Sequence, residues 1–224
     1  MKYGYLLGKS AKIDKSDKYS DYENFIMYLA PADESGYNVC PNASAGCKAA
    51  CLNTAGRGKF TNVQQTRVNR TLHYVKDRVG FMVNLTSEIE KHSRKHQKLA
   101  IRLNGTSDLN WMPYIKKMNG KFPSIVWYDY TKNPNFARSS KNVPNYHVTF
   151  SRSEDNDDIC KEMLSNGVNV AVVFRNRLPE TFWGYKVIDG DESDTRFLDE
   201  SGVIIGLVAK GKAKQDKSGF VVDL

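Results

Sequence analysis

Apolar residues in this chain gather into short continuous runs, and nearly every run closes in a polar tail rich in Gly, Ser, Asp or Asn. Asn24–Ala30 stops at Pro31 and the turn-forming ADESGYN. Leu99–Leu103 ends in Asn104-Gly105-Thr106-Ser107-Asp108, and Ser124–Tyr128 in Asp129-Tyr130-Thr131-Lys132. Tyr146–Phe150 ends in Ser151-Arg152-Ser153-Glu154, and Val168–Phe174 in Arg175-Asn176. Tyr185–Ile188 and Val203–Val208 complete the series. Runs of this length without alternation predict strands buried on both faces, as in parallel sheets. Between the first two runs the period changes. Val68, Leu72, Val75, Val79, Met82, Leu85 and Ile89 recur every three or four residues, predicting a helix, or two joined helices, over 61–96. Thr61 with Gln64 is the candidate N-terminal cap, and Gly80 the candidate break. Shorter helices are predicted near Trp111–Met118 and Asp157–Ser165, and residues 1–24 read as a strand followed by a loop.

These elements predict an α/β fold with mostly parallel strands. The connection from Tyr128 to Tyr146, with its NPN and VPN turns, is too short for a full helix. A partial or irregular (β/α) barrel is therefore expected rather than a regular eight-fold one. No repeat, low-complexity linker or composition shift divides the chain, so residues 1–224 read as a single domain. Its parts are a cysteine-bearing loop at 39–58, the helical segment at 61–96 and a strand-rich remainder at 99–224.

Charge and length change this picture in two ways. The longest apolar runs fall far short of a membrane span, and the N-terminal residues lack the apolar stretch of a signal peptide. No membrane association and a cytoplasmic setting are expected, with thiols kept reduced. The net charge of +8 makes a polyanion partner an open alternative. In that alternative the chain is a non-enzymatic nucleic-acid-binding module with a structural metal, and Trp127, Tyr128 and Tyr130 supply stacking surfaces. Lys210–Lys217 is a basic surface segment suited to phosphate contacts or simply solvated, and Asp189–Asp199 reads as a solvated acidic loop. His73, His92 and His96 read as surface residues.

The chemistry concentrates in VCPNASAGCKAACLNTAGRG, Val39–Gly58. Cys40, Cys47 and Cys51 are spaced C-x6-C-x3-C among small residues, so the backbone can wrap closely around whatever the sulfurs hold. Thiolates select zinc, copper(I) or iron–sulfur clusters. Structural zinc usually takes four ligands in paired knuckles, and this loop offers three thiols and no histidine. An iron–sulfur cluster, [4Fe–4S], is the favoured reading, with zinc the alternative metal and Cys160 the candidate fourth ligand. With one iron left open, the cluster would face a small-molecule pocket. Asn104, Gly105, Thr106, Ser107, Asp108, Ser151 and Ser153 are its candidate cofactor-binding residues, unless they serve only as turns and caps. Asp129, Tyr130, Lys132 and Arg152 would face the same space. An electron-transfer or redox-sensing role is a further reading, in which Arg57 and Lys59 bias the potential.

Together CPNASAGCKAACLNTAGRG, RLNGTSDLNW, FSRSEDN, RFLDESGVIIGLVAKG and SGFVV resemble the phage-encoded "gene product 88" domain family, from about Asn24 onward. That resemblance implies a phage origin and a host-cytoplasm location more than an activity. A more distant similarity is to radical S-adenosylmethionine (SAM) enzymes, which carry a three-cysteine loop after the first strand of a partial barrel. It implies a radical-SAM-like fold, SAM on the open iron, Asn104–Thr106 near its amino group and Ser151 and Ser153 near its ribose. The C-x6-C-x3-C spacing departs from that pattern's C-x3-C-x2-C, and the tail after the second strand lacks the usual acidic end.

Overall fold

The computed structural model describes residues 4–16 and 20–224, and in it the apolar runs are strands. In chain order the elements are β1 (Leu7–Gly8), α1 (Ala11–Ser16), β2 (Glu23–Met27), α2 (Ala45–Ala49), α3 (Thr61–Lys76) and α4 (Arg78–Ser93). They continue with β3 (Leu99–Arg102), α5 (Met112–Lys121), β4 (Val126–Thr131), α6 (Pro134–Ser140), β5 (Tyr146–Ser151), α7 (Asp157–Ser165) and β6 (Val170–Phe174). The last are β7 (Thr181–Phe182), β8 (Tyr185–Asp189), β9 (Ile204–Val208) and β10 (Val221–Val222).

The strands form one mixed, mostly parallel sheet in the order β1-β2-β3-β4-β5-β6-β9-β8-β7. From β2 to β6 neighbours in sequence are neighbours in space, all parallel, while β1 and β7 add antiparallel edges. The two edges do not pair with each other, so the sheet is open. One edge of β6 is shared. β5 pairs with Val170 and Ala171, and β10 takes over at Val173 and Phe174.

Right-handed crossovers between consecutive parallel strands put their helices on one face, and the core follows that rule. Phe25, Met27, Leu99, Ile101 and Trp127 pack with Phe81, Leu85 and Ile89 of α4 and with Trp111, Ile115 and Met118 at α5. Farther along, Phe150, Val170, Val172 and Phe174 pack with Cys160, Met163 and Leu164 of α7.

The opposite face is covered by residues 190–199, a correction to the solvated loop expected there. Phe197 packs on Tyr128 and Tyr22 with ring centroids 5.5 and 4.9 Å away. Asp194, Thr195 and Arg196 are buried. Lys12 Nζ donates to Gly190 O at 2.6 Å and to Asp194 Oδ1 at 3.0 Å, and Arg102 lies 3.6 Å from Asp194. Burial pushes the Asp194 carboxyl up, but Lys12 and Arg102 outweigh it and hold it below its ordinary value. The middle of this acidic loop is buried because two partly buried cations, Lys12 and Arg102, pair with Asp194.

The helical segment is two helices, as one alternative had it, but the break falls at Asp77 rather than Gly80. The Asp77 carboxylate caps α4 by accepting the Gly80 N–H at 2.9 Å, and a Cβ at Gly80 would sit 2.2 Å from that carboxylate. The break also splits the apolar stripe, leaving Val75 exposed and Val79 77% exposed. The buried residues of α3 are Arg67, Thr71 and His73 instead. His73 is thus no surface histidine, packing edge-on against Phe81, and His92 stacks on Phe25. The α3 cap is Phe60, with Thr61 the first helical residue. A short helix, α6, does fit between Tyr128 and Tyr146, capped by Asn133 on the Phe136 N–H. At the N-terminus β1 is followed by a helix rather than a loop, and the Glu88 carboxylate holds β1 through the N–H groups of Leu6 and Leu7. Residues 1–3 and 17–19 of the N-terminal stretch lie outside the described residues.

Candidate metal centre

The cysteine loop leaves β2 at its carboxyl end, and neighbouring strand ends hold it. Ala30 N–H donates to Thr71 Oγ1 of α3 at 2.9 Å, and Val39 is buried in the helix-side core. Val39 O accepts the Asp108 N–H at 2.9 Å, which ties the loop to the tail of β3. Ser44 caps α2 by accepting the Cys47 N–H at 3.1 Å. Beyond β5, Glu154 grips the same turn with both carboxylate oxygens, taking Ser44 Oγ–H at 2.6 Å and Gly46 N–H at 2.7 Å. Gly46 is needed for close approach. A Cβ there would lie 2.3 Å from Ser218 Oγ, 2.7 Å from Phe220 Cβ and 2.8 Å from Glu154 Oε2. Ala50 and Cys47 pack with Ala209, Ala213, Phe220 and Val221. Four remote segments thus fix the loop.

Cys40, Cys47 and Cys51 are free, half-buried thiols. Cys40 Sγ accepts the Ala32 N–H at 3.3 Å and lies 3.7 Å from Thr106 O. Burial pushes its thiol up to about 11; the Ala32 N–H opposes this, and negative charge at Cys51, Cys47 and Asp108 adds to it. Burial also raises Cys51, opposed by the Asn53 N–H and Arg67 and reinforced by Cys47 and Glu34. Cys40 is thus influenced by Cys51 and Cys47, and Cys51 by Cys47. Among the described residues no three His, Cys, Asp or Glu side chains are close enough to share one metal ion.

Arg67 is the cation of this site. It is 9% exposed, stacks on Tyr28 with 4.8 Å from Cζ to the ring centroid, and donates through Nη1 to Asn53 Oδ1. Asn53 in turn donates to Glu34 Oε2 at 2.6 Å. The Arg67 Nε is buried without a hydrogen-bond partner. Neither Arg67 nor the Glu154 grip was anticipated. The signals were an arginine beside an apolar helical stripe and a glutamate in a strand tail, both too common to single out.

The polar tails after β3 and β5 are near the loop, but they largely bind one another. Asn104 Oδ1 accepts from Ser107 Oγ at 2.8 Å, Leu109 N at 3.0 Å and Trp111 Nε1 at 3.2 Å. Thr106 Oγ donates to Leu29 O at 2.5 Å. Asp108 accepts from Thr131 Oγ at 2.6 Å, Lys132 N at 3.1 Å and Asn42 Nδ2 at 3.4 Å. Gly105 lies against β2, where a Cβ would be 2.6 Å from Met27 O. Ser151 ends β5, and Ser153 turns the chain into α7 with Oγ donating to Asp155 at 2.7 Å. Beneath the 104–108 tail, Asp129 is fully buried and accepts the Asn104 N–H at 2.6 Å and the Tyr146 O–H at 3.0 Å. Burial pushes it up to about 7, against the pull of those donors and Arg102.

The structure does not bring Cys160 to the other cysteines. It sits in the core of α7, its thiol 3.3 Å from Asn156 Oδ1. The aromatics considered for base stacking are also withdrawn from solvent. Trp127 and Tyr128 are buried, and Tyr130 lies under the Arg102 guanidinium at 4.4 Å.

Fold and site together define an open, mostly parallel α/β protein with three free thiols in one loop beyond the carboxyl end of β2. The chain belongs to the Gene product 88 family, whose description matches residues 5–224. No curated protein and no solved structure matches it, so neither comparison supports the similarity to radical SAM enzymes. No helix among the described residues is long and apolar enough to cross a membrane.

Proposed function

We propose that this protein holds an iron–sulfur cluster, [4Fe–4S], through Cys40, Cys47 and Cys51, with the tails of β3 and β5 walling one side of the site. The observation that carries this reading is the gathering of three free, half-buried thiols in a loop fixed by four remote segments. A tetrahedral zinc ion needs its ligands around a single centre, and no such grouping exists among the described residues. A structural zinc also calls for a fourth ligand, and Cys160 lies in a separate apolar core, so three thiols with one open position favour the cluster reading. When bound, the cluster supplies one-electron chemistry and, with three cysteines, one iron open to a non-cysteine ligand.

The chain's own residues have defined parts in this reading. Cys47 is positioned by the Ser44–Glu154 grip, Cys40 by the Ala32 N–H, and Cys51 lies beside Arg67. The positive charge of Arg67 offsets the negative charge that three thiolates bring into a half-buried space, and its free Nε is a donor available to sulfur. Side-by-side parallel winding from β2 to β6 supports reading the open sheet as related to a partial (β/α) barrel, in which functional loops gather at strand carboxyl ends. Recognition of SAM is not part of this proposal, because Asn104, Thr106, Ser107 and Asp108 are engaged with their own surroundings.

Anaerobic purification, with iron and sulfide quantified and visible and electron paramagnetic resonance spectra recorded, tests the reading. Broad blue-violet absorbance with near-stoichiometric iron and sulfide is expected. Zinc alone, after anaerobic reconstitution has also failed, would overturn it.

A further inference from the structure

Beside the cysteine loop the chain makes a compact knot of turns that cluster binding leaves unexplained. Residues Leu52–Thr54 and Gly56–Lys59 are successive 3₁₀ turns, and Gly58 tucks the second against the first. A Cβ at Gly58 would lie 3.0 Å from Asn53 O. A third 3₁₀ turn, Gly211–Gln215, docks on them. Gly211 has φ +58°, and a Cβ there would be 3.0 Å from both Ala55 Cβ and Thr54 O, while Lys212 N–H reaches Thr54 Oγ1 at 3.5 Å. Arg175 fixes the same turn from behind by donating to Lys214 O at 2.9 Å and Asp216 O at 2.8 Å.

This knot presents Arg57, Lys59, Lys212 and Lys214, all exposed. None of the four has a carboxylate within ion-pair distance among the described residues. Lys48 and Lys210 nearby do, on Asp33 and Asp191. Two large apolar side chains stand open among these cations, Leu52 at 59% and Phe60 at 51% exposure. Exposed cations on packed turns beside an exposed aromatic ring form the combination that tracks a phosphate backbone while a base stacks.

We propose that this surface binds single-stranded nucleic acid, with Arg57, Lys59, Lys212 and Lys214 on phosphates and Phe60 under a base. The partner passes beside the cysteine loop, and the proposal does not depend on what those cysteines hold. Single strands fit better than duplex, because the surface is built of short turns and offers no helix or ribbon to enter a groove.

Fluorescence anisotropy of the full chain with labelled single-stranded DNA and RNA 15-mers, over a salt series, tests this. Arg57→Ala with Lys59→Ala, and separately Lys212→Ala with Lys214→Ala, should each weaken binding. Each pair should also reduce the slope of log affinity against log salt by about 1.4, at about 0.7 per cation. Phe60→Ala should weaken binding about tenfold with the slope unchanged. Lys116→Ala with Lys117→Ala, on exposed positions of α5, removes the same charge elsewhere and should change little. Preference for either sugar supports the proposal and names the strand. Equal losses in the α5 control, tighter binding of duplex, or equal displacement by polyglutamate or anionic vesicles would each overturn it.

Discussion

Cys160 is wholly buried among Phe150, Met163, Leu164 and Val168, contributing volume to an apolar core. Cys40, Cys47 and Cys51 are half-exposed in a loop held largely by hydrogen bonds from other segments. The first environment would stay intact if the sulfur were replaced by another small apolar group. The second packs Cys40 and Cys47 only at the margins of apolar clusters and ties their loop to other segments by hydrogen bonds. One residue type thus meets two kinds of surroundings, and the proposed cluster would use only one of them.

The sharpest way to break this contrast is by substitution of each cysteine. Cys47→Ser or Cys51→Ser should abolish stoichiometric iron and sulfide uptake on anaerobic reconstitution, while Cys160→Ala should leave both unchanged. Loss of uptake in Cys160→Ala would erase the distinction. Next in size is the grip on the loop. Glu154→Ala removes two charge-assisted hydrogen bonds from a half-buried site and should destabilise the protein by about 2 kcal/mol, read from the urea midpoint. Cys47 should also alkylate faster in the apo protein, and an unchanged rate would show that Glu154 does not position it. Cys160→Ser keeps the reach to Asn156 but places a hydroxyl in the core, and should cost about 1 kcal/mol with no effect on iron content.

The finest test concerns Asp129, which supports the tail beside Cys40. Its folded proton affinity is raised, so the protonated form stabilises the fold. That stabilisation is fully present below the unfolded value of 3.8 and is lost as pH rises through about 7. Asp129→Asn should therefore flatten the fall in stability between those values, measured as urea midpoints across pH. A slope identical to that of the unaltered protein would show that Asp129 does not carry it.

Much of this was legible in the sequence where a single rule governed. Apolar runs gave β2–β6 and β9 within a few residues, because strands buried on both faces have little other way to be written. The cysteine loop sits at a strand's carboxyl end, as expected, since Pro31 and the turn residues after it end β2's extension. What was hidden depended on pairing between distant residues. The segment containing Asp194 and Arg196 looked solvated because Lys12 and Arg102, which bury with it, lie far away in sequence. The buried face of α3 was misread because Asp77 interrupts the helix and Arg67 and Thr71 point inward to serve the loop. The tails at 104–108 and 151–153 were expected to face a ligand, whereas most of their polar atoms answer one another.

The shared edge of β6 carries a consequence in time. β5 and β6 are made before Val221 and Val222, so the remaining half of that edge stays unpaired until those two residues are made. Ser218 and Phe220, which enclose Gly46 and back the turn bearing Cys47, arrive in the same late stretch. The cysteine loop is therefore translated among the first elements and locked among the last. A chain truncated before residue 218 would lack Ser218, Phe220 and β10, and its cysteine loop would lose the backing behind Gly46.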